Sequence, residues 1–130
     1  MSISHPVAAL EPEAIEFYSR TLRVLGESPV PVMLGGAYAF ARYTGIVRHT
    51  KDLDVFVRRQ DAGEALRVLA DAGCRTELTF PHWLGKAYQD DLFIDVIFGA
   101  GNGVAEVDDE WLAHAVADEV LGVPVRLIPA

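Results

Sequence analysis

Asp52 and Asp54 stand one residue apart in Lys51-Asp52-Leu53-Asp54-Val55-Phe56-Val57, and a third aspartate, Asp95, interrupts the apolar run Leu92-Phe93-Ile94-Asp95-Val96-Ile97-Phe98. Residues i and i+2 of a strand point to the same face roughly 6–7 Å apart at ~3.3 Å rise per residue, so Asp52 and Asp54 can converge on one site. Ionised carboxylates in apolar strands are costly unless paired or metal-bound, and three within one sheet repel one another. A divalent cation removes both penalties. Mg²⁺ favours carboxylate oxygens, keeps several waters and completes its shell with substrate phosphates, which points to a nucleoside triphosphate. Two such ions about 3.5–4 Å apart would clamp the attacking and leaving oxygens of an in-line phosphoryl displacement.

Those carboxylates need strands to hold them and a turn to receive the phosphates. Gly35-Gly36 directly follows the apolar run Val32-Met33-Leu34. The pattern reads as a short buried strand over residues 32–34, then a helix over 36–43 that starts at the glycines. A turn of this kind brings backbone N–H groups close to an anion without a Cβ in the way, at the positive end of a helix. The same glycines would also suit a close helix–strand packing contact. Residues 53–57 form the strand bearing the aspartate pair, and Lys86 to Gln89 pairs with residues 92–98 as a hairpin across Asp90-Asp91.

The remaining elements frame that core. Ile15, Tyr18, Leu22 and Leu25 recur at helical spacing over residues 11–25, with Gly26 and Pro29 as the stop. Asp61-Ala62-Gly63-Glu64 has the form of a capping box opening a second helix that ends at Gly73. Residues 74–79 suit a strand and 109–114 a short helical stretch, with Asp108-Asp109-Glu110 a solvated acidic turn that caps it. Residues 116–120 and 123–128 form a last hairpin around Leu121-Gly122. The expected fold class is α/β (α+β), a mixed β-sheet flanked by helices.

Composition narrows the function. At 130 residues, 51% hydrophobic and 23% charged, the chain suits one folded domain with one site. A net charge of −8 disfavours a broad nucleic-acid footprint. Five of the eleven basic side chains nevertheless lie between Arg42 and Arg59 (Arg42, Arg48, Lys51, Arg58 and Arg59), against two acids, Asp52 and Asp54. That local island suits a polyphosphate. Arg48 and Lys51 are candidates to neutralise a triphosphate and Thr50 to hydrogen-bond a phosphate oxygen, while surface salt bridging is the alternative for both cations. His49 and His82 read as loop residues. Trp83 could stack on a nucleobase, though closing an edge of the core is the commoner use. The single cysteine, Cys74, suits a reducing cytoplasm. Residues 1–10 lack a basic segment followed by an apolar core, so no secretory signal is expected. The uncharged stretch 28–41 is too short to span a bilayer.

Taken together, Leu34-Gly35-Gly36, Asp52-Leu53-Asp54 and Asp95, in that order, resemble the nucleotidyltransferase superfamily with its DNA polymerase β-like fold. The segment from Gly35 to Phe40 and from Arg48 to Asp54 is most similar to the minimal bacterial members, toxin–antitoxin-related proteins among them. The resemblance implies a single nucleotidyltransferase-like domain over residues 1–130. Such members continue into further helices past a segment like residues 122–129, whereas this chain ends at Ala130. It implies that Asp52 and Asp54 hold two Mg²⁺ ions, that Asp95 completes the catalytic shell and that the glycine turn contacts the triphosphate. The implied reaction moves a nucleoside monophosphate to an acceptor hydroxyl on a tRNA end, a protein or a small molecule, with release of pyrophosphate. Two other readings stand beside it: an antitoxin-like or partner-binding module on the same fold, and a phosphodiesterase-like hydrolase using the same carboxylates.

Overall fold

Alternation of buried and half-exposed residues along Leu53-Asp54-Val55-Phe56 divides the sheet into two faces. A computed structural model describes residues 12–35, 53–99 and 107–129. Seven strands, β1 (Met33–Leu34), β2 (Leu53–Phe56), β3 (Arg75–Phe80), β4 (Leu84–Gln89), β5 (Leu92–Ile97), β6 (Val116–Val120) and β7 (Val123–Leu127), form one sheet in the order β3-β4-β5-β2-β1-β7-β6. β2 pairs parallel with β5 and β1 parallel with β7, while the other neighbours are antiparallel. The mixed sheet expected from the element order is therefore present.

Helices α1 (Pro12–Glu27) and α2 (Ala62–Asp71) pack on one face and bury Leu34, Leu53, Val55, Ile94, Val96 and Leu127 with Phe17, Leu25 and Leu69. Removing such side chains from water drives the assembly, at about 1.5–3 kcal/mol for each large apolar residue. A slip of one residue in β2 or β5 would turn these side chains away from the helices, so the packed face fixes the register of the opposite one. On that second face Phe56 meets Trp111 of the short helix α3 (Asp109–Ala113), with ring centroids 6.0 Å apart.

Several boundaries differ from expectation for identifiable reasons. α1 passes through Gly26 and stops only at Ser28, whose N–H and hydroxyl both donate to the Leu25 carbonyl. The capping box proposed for α2 does not form: a 3₁₀ turn at Arg59–Asp61 leaves Asp61 in a helical rather than extended conformation, and its carboxylate instead accepts from Arg58 Nε at 2.7 Å. Glu64 pairs with Arg67. Gly73 does end the helix, at φ 103°. Asp108 caps α3, its carboxylate accepting from the N–H groups of Glu110 and Trp111. Both hairpins lie where the turns placed them, with Asp90, Leu121 and Gly122 at positive φ. The helix expected over residues 36–43 lies outside the described residues.

Candidate functional site

The parallel pairing of β2 with β5 sets Asp54 directly beside Asp95 on the face turned away from α1 and α2. β4 continues the line, with Lys86 in register with Asp95. On the other side the Gly35 N–H donates to the Asp54 carbonyl at 3.0 Å. Gly35, Asp54, Asp95 and Lys86 thus lie in one row across four adjacent strands, each step being the spacing of neighbouring strands, about 4.8 Å. The row brings together residues that are far apart in the chain, and it places two like charges side by side.

Lys86 answers part of that charge. Its Nζ lies 2.6 Å from Asp95 Oδ1, with the two side chains only 22% and 23% exposed, and its ammonium sits 4.4 Å from the centre of the Phe93 ring. Glu77, also in register with Lys86, accepts instead from the Tyr88 hydroxyl at 2.9 Å. That hydrogen bond, reinforced by desolvation and by the charge of Glu77, holds the Tyr88 phenol above its ordinary pKa. Asp95, expected to complete the catalytic shell, has a lysine as its partner.

Gly35 makes a close packing contact, one of the two uses expected of the glycine pair. Its N–H is already spent on the sheet, and a Cβ there would lie 2.9 Å from Phe56 Cδ1 and closer still to Cε1, with Ile128 at 3.1 Å. The missing side chain makes room for the aromatic ring beside Asp54. Of the cationic island, Arg58 and Arg59 are engaged elsewhere. Arg58 bonds Asp61 and Asp109, each at 2.7 Å, and these bonds, that to Asp61 first, raise its pKa. Arg59 donates to the His82 carbonyl and lies over Phe98. Both stand past the far end of β2 from Asp54. Trp83, in the turn between β3 and β4, stacks on Phe80 at 5.6 Å, and its backbone bonds Phe80 and Phe98. Gly36, Arg42, Arg48, His49, Thr50, Lys51 and Asp52 lie outside the described residues.

Among the described residues no three His, Cys, Asp or Glu side chains converge. Asp54 and Asp95 supply two partly exposed carboxylates on one face, a hard oxygen donor set that fits Mg²⁺. Lys86 is the residue that reading the chain passed over. A signal for it existed: a hairpin centred on Asp90-Asp91 sets the residue four before Asp90 opposite the one four after Asp91.

The exposed large apolar side chains among the described residues, Leu78 and Phe80, lie on edge strand β3 and not on the C-terminal hairpin. A cavity of about 340 Å³, lined by Leu22, Pro29, Val30, Pro124 and Arg126 among others, opens beyond the end of β1 opposite Gly35. No described helix is long and apolar enough to cross a membrane.

Comparison with known proteins agrees with this fold. The fold is that of the Thermotoga maritima protein TM1012, a candidate nucleotidyltransferase, at 15% identity over 92% of this chain and 80% of that one, with a TM-score of 0.67. It is likewise that of ANT(2'')-Ia, solved with adenylyl-2''-tobramycin (21% identity, 89% and 69% of the two chains, TM-score 0.59). A third is the lincosamide antibiotic adenylyltransferase LnuA, solved with lincomycin (13% identity, 92% and 81%, TM-score 0.60). No curated protein sequence matches the chain. The toxin–antitoxin partner implied by the sequence resemblance finds no support in these relatives. Residues 19–109, more than half of the chain, match the family model of aminoglycoside-2''-adenylyltransferase, and the chain belongs to that family, a nucleotidyltransferase of the polymerase β-like fold.

Proposed function

We propose that this protein moves a nucleoside monophosphate, AMP in the first instance, from a nucleoside triphosphate to a hydroxyl of a small-molecule acceptor. The observation that carries the reading is the register that sets Asp54 against Asp95 one strand from Gly35. Asp52, Asp54 and Asp95 hold Mg²⁺, which when bound neutralises the phosphates and lowers the pKa of the attacking hydroxyl. Gly36 and the turn opened by Gly35 cradle the triphosphate, with Arg48 and Lys51 offsetting its charge and Thr50 bonding a phosphate oxygen. Gly35 itself contributes by letting Phe56 pack beside Asp54. The acceptor hydroxyl attacks the α-phosphorus as its proton passes to the Asp95 carboxylate, the bond to the bridging oxygen breaks, and pyrophosphate leaves with the electron pair. Family membership and the adenylylated tobramycin bound to ANT(2'')-Ia favour an antibiotic-like polyol over a tRNA end or a protein.

Calorimetry with ATP, GTP, CTP and UTP, with and without Mg²⁺, tests the reading, with the Asp52→Asn/Asp54→Asn protein as blank. Mg²⁺-dependent binding of ATP that is lost in the blank is expected, followed by pyrophosphate release with tobramycin or lincomycin. Absence of binding to all four nucleotides would overturn it. A partner-binding role has one observation behind it, the exposure of Leu78 (52%) and Phe80 (49%) on edge strand β3, and that outcome would favour it.

A further inference from the structure

Lys86 stands on the far side of Asp95 from Asp54 and Gly35, so it lies away from the end of the row where the phosphates are placed. It nonetheless makes an ion pair at 2.6 Å, to a single oxygen of Asp95. Three restraints hold it there: the cross-strand register, the Phe93 ring 4.4 Å from its ammonium, and the loss of its other acidic neighbour, Glu77, to Tyr88. A charge-assisted bond in so enclosed a setting narrows the rotamers open to the Asp95 carboxylate.

We propose that Lys86 is a positioning residue for the reaction: by bonding Oδ1 of Asp95 it fixes the carboxylate so that the remaining oxygen serves the reacting centre, and its charge weakens the hold of the site on a bare divalent cation. The inference rests on the assignment of Asp54 and Asp95 to metal and nucleotide binding. It makes two opposed demands. Without the ammonium, attraction between the carboxylates and a cation increases, while the geometry that speeds the chemical step loosens.

The test uses the full chain as wild type, Lys86→Met and Lys86→Arg, each checked for folding by circular dichroism. Binding of Mn²⁺ is followed by electron paramagnetic resonance. Turnover is followed as pyrophosphate release from Mg·ATP, with tobramycin or, failing that, water as acceptor. Lys86→Met is expected to bind Mn²⁺ about 3–10-fold more tightly, to lose about 10-fold or more in kcat, and to keep KM for ATP within about threefold of wild type. Lys86→Arg keeps the charge, so its Mn²⁺ affinity stays within about twofold of wild type and part of the lost kcat returns. A merely structural role would weaken Mn²⁺ binding and turnover together, and that result overturns the proposal. So does an unchanged kcat, or a rise in KM alone, which would make Lys86 a phosphate contact. Should Lys86→Met fail to fold, Lys86→Gln carries the same expectation. Failure of the wild type to bind Mn²⁺ or Mg·ATP would instead overturn the site assignment itself.

Discussion

Asp54 and Asp95 carry like charge on neighbouring strands, and the Lys86 ammonium pairs with Asp95. An arrangement that costs folding energy without a cation and repays it with one should trade stability for chemistry. Asp54→Asn is accordingly expected to lower Mg²⁺-dependent turnover by on the order of 100-fold or more. Its melting temperature should stay within about 4 °C of wild type, because relief of repulsion offsets lost hydrogen bonds. Pyrophosphate release and a thermal melt on the same preparation check both halves, and full activity would remove Asp54 from the site. At this scale the meeting of Asp54 with Asp95 was legible because charge inside an apolar run is conspicuous. Lys86 was not, because a lysine near a strand start looks ordinary until its cross-strand partner is counted. Arg58 and Arg59 were misjudged for the converse reason: nearness in the chain to Asp54 put them in the island, whereas β2 carries them along its length to Asp61, Asp109 and His82.

The end of β1 shows what one element contributes to another. Gly35 ends β1 with its N–H on Asp54 and its missing Cβ filled by Phe56, whose ring in turn meets Trp111 of α3. Gly35→Ala must push that ring out of place, and overpacking of this kind costs about 1–3 kcal/mol. Urea denaturation should show the loss, and Phe56→Leu added to Gly35→Ala should recover part of it by making room. An alanine variant as stable as wild type would mean that the ring moves aside freely. A glycine pair after an apolar run reads from sequence as an anion cradle or a close packing contact. That the contact of its first member is with a ring from another strand is something no local pattern carries. The hairpins, by contrast, were legible because their turn residues and apolar flanks are contiguous. The cap of α2 was misread because the 3₁₀ turn before it gives Asp61 to Arg58.

For the whole molecule, the order β3-β4-β5-β2-β1-β7-β6 interleaves a local hairpin with strands from distant parts of the chain. The presence of a mixed sheet followed from the alternation of elements, but its strand order did not, since adjacency of β2 to β5 is set by packing against α1 and α2. That order has a consequence in time. Hairpins close in about 1–10 μs, and pairings between distant segments come later because loop closure must first be overcome. Lys86 and Asp95 belong to such a hairpin, while Asp54 reaches Asp95 only after α2 and the β3–β4 pair have been laid between them. Pulse-labelled hydrogen exchange should find the amides of β4 and β5 protected ahead of those of β2, and simultaneous protection would refute the sequence of events. In that order of events Asp95 already belongs to an ion pair when Asp54 comes beside it, so the two carboxylates meet with the first already answered.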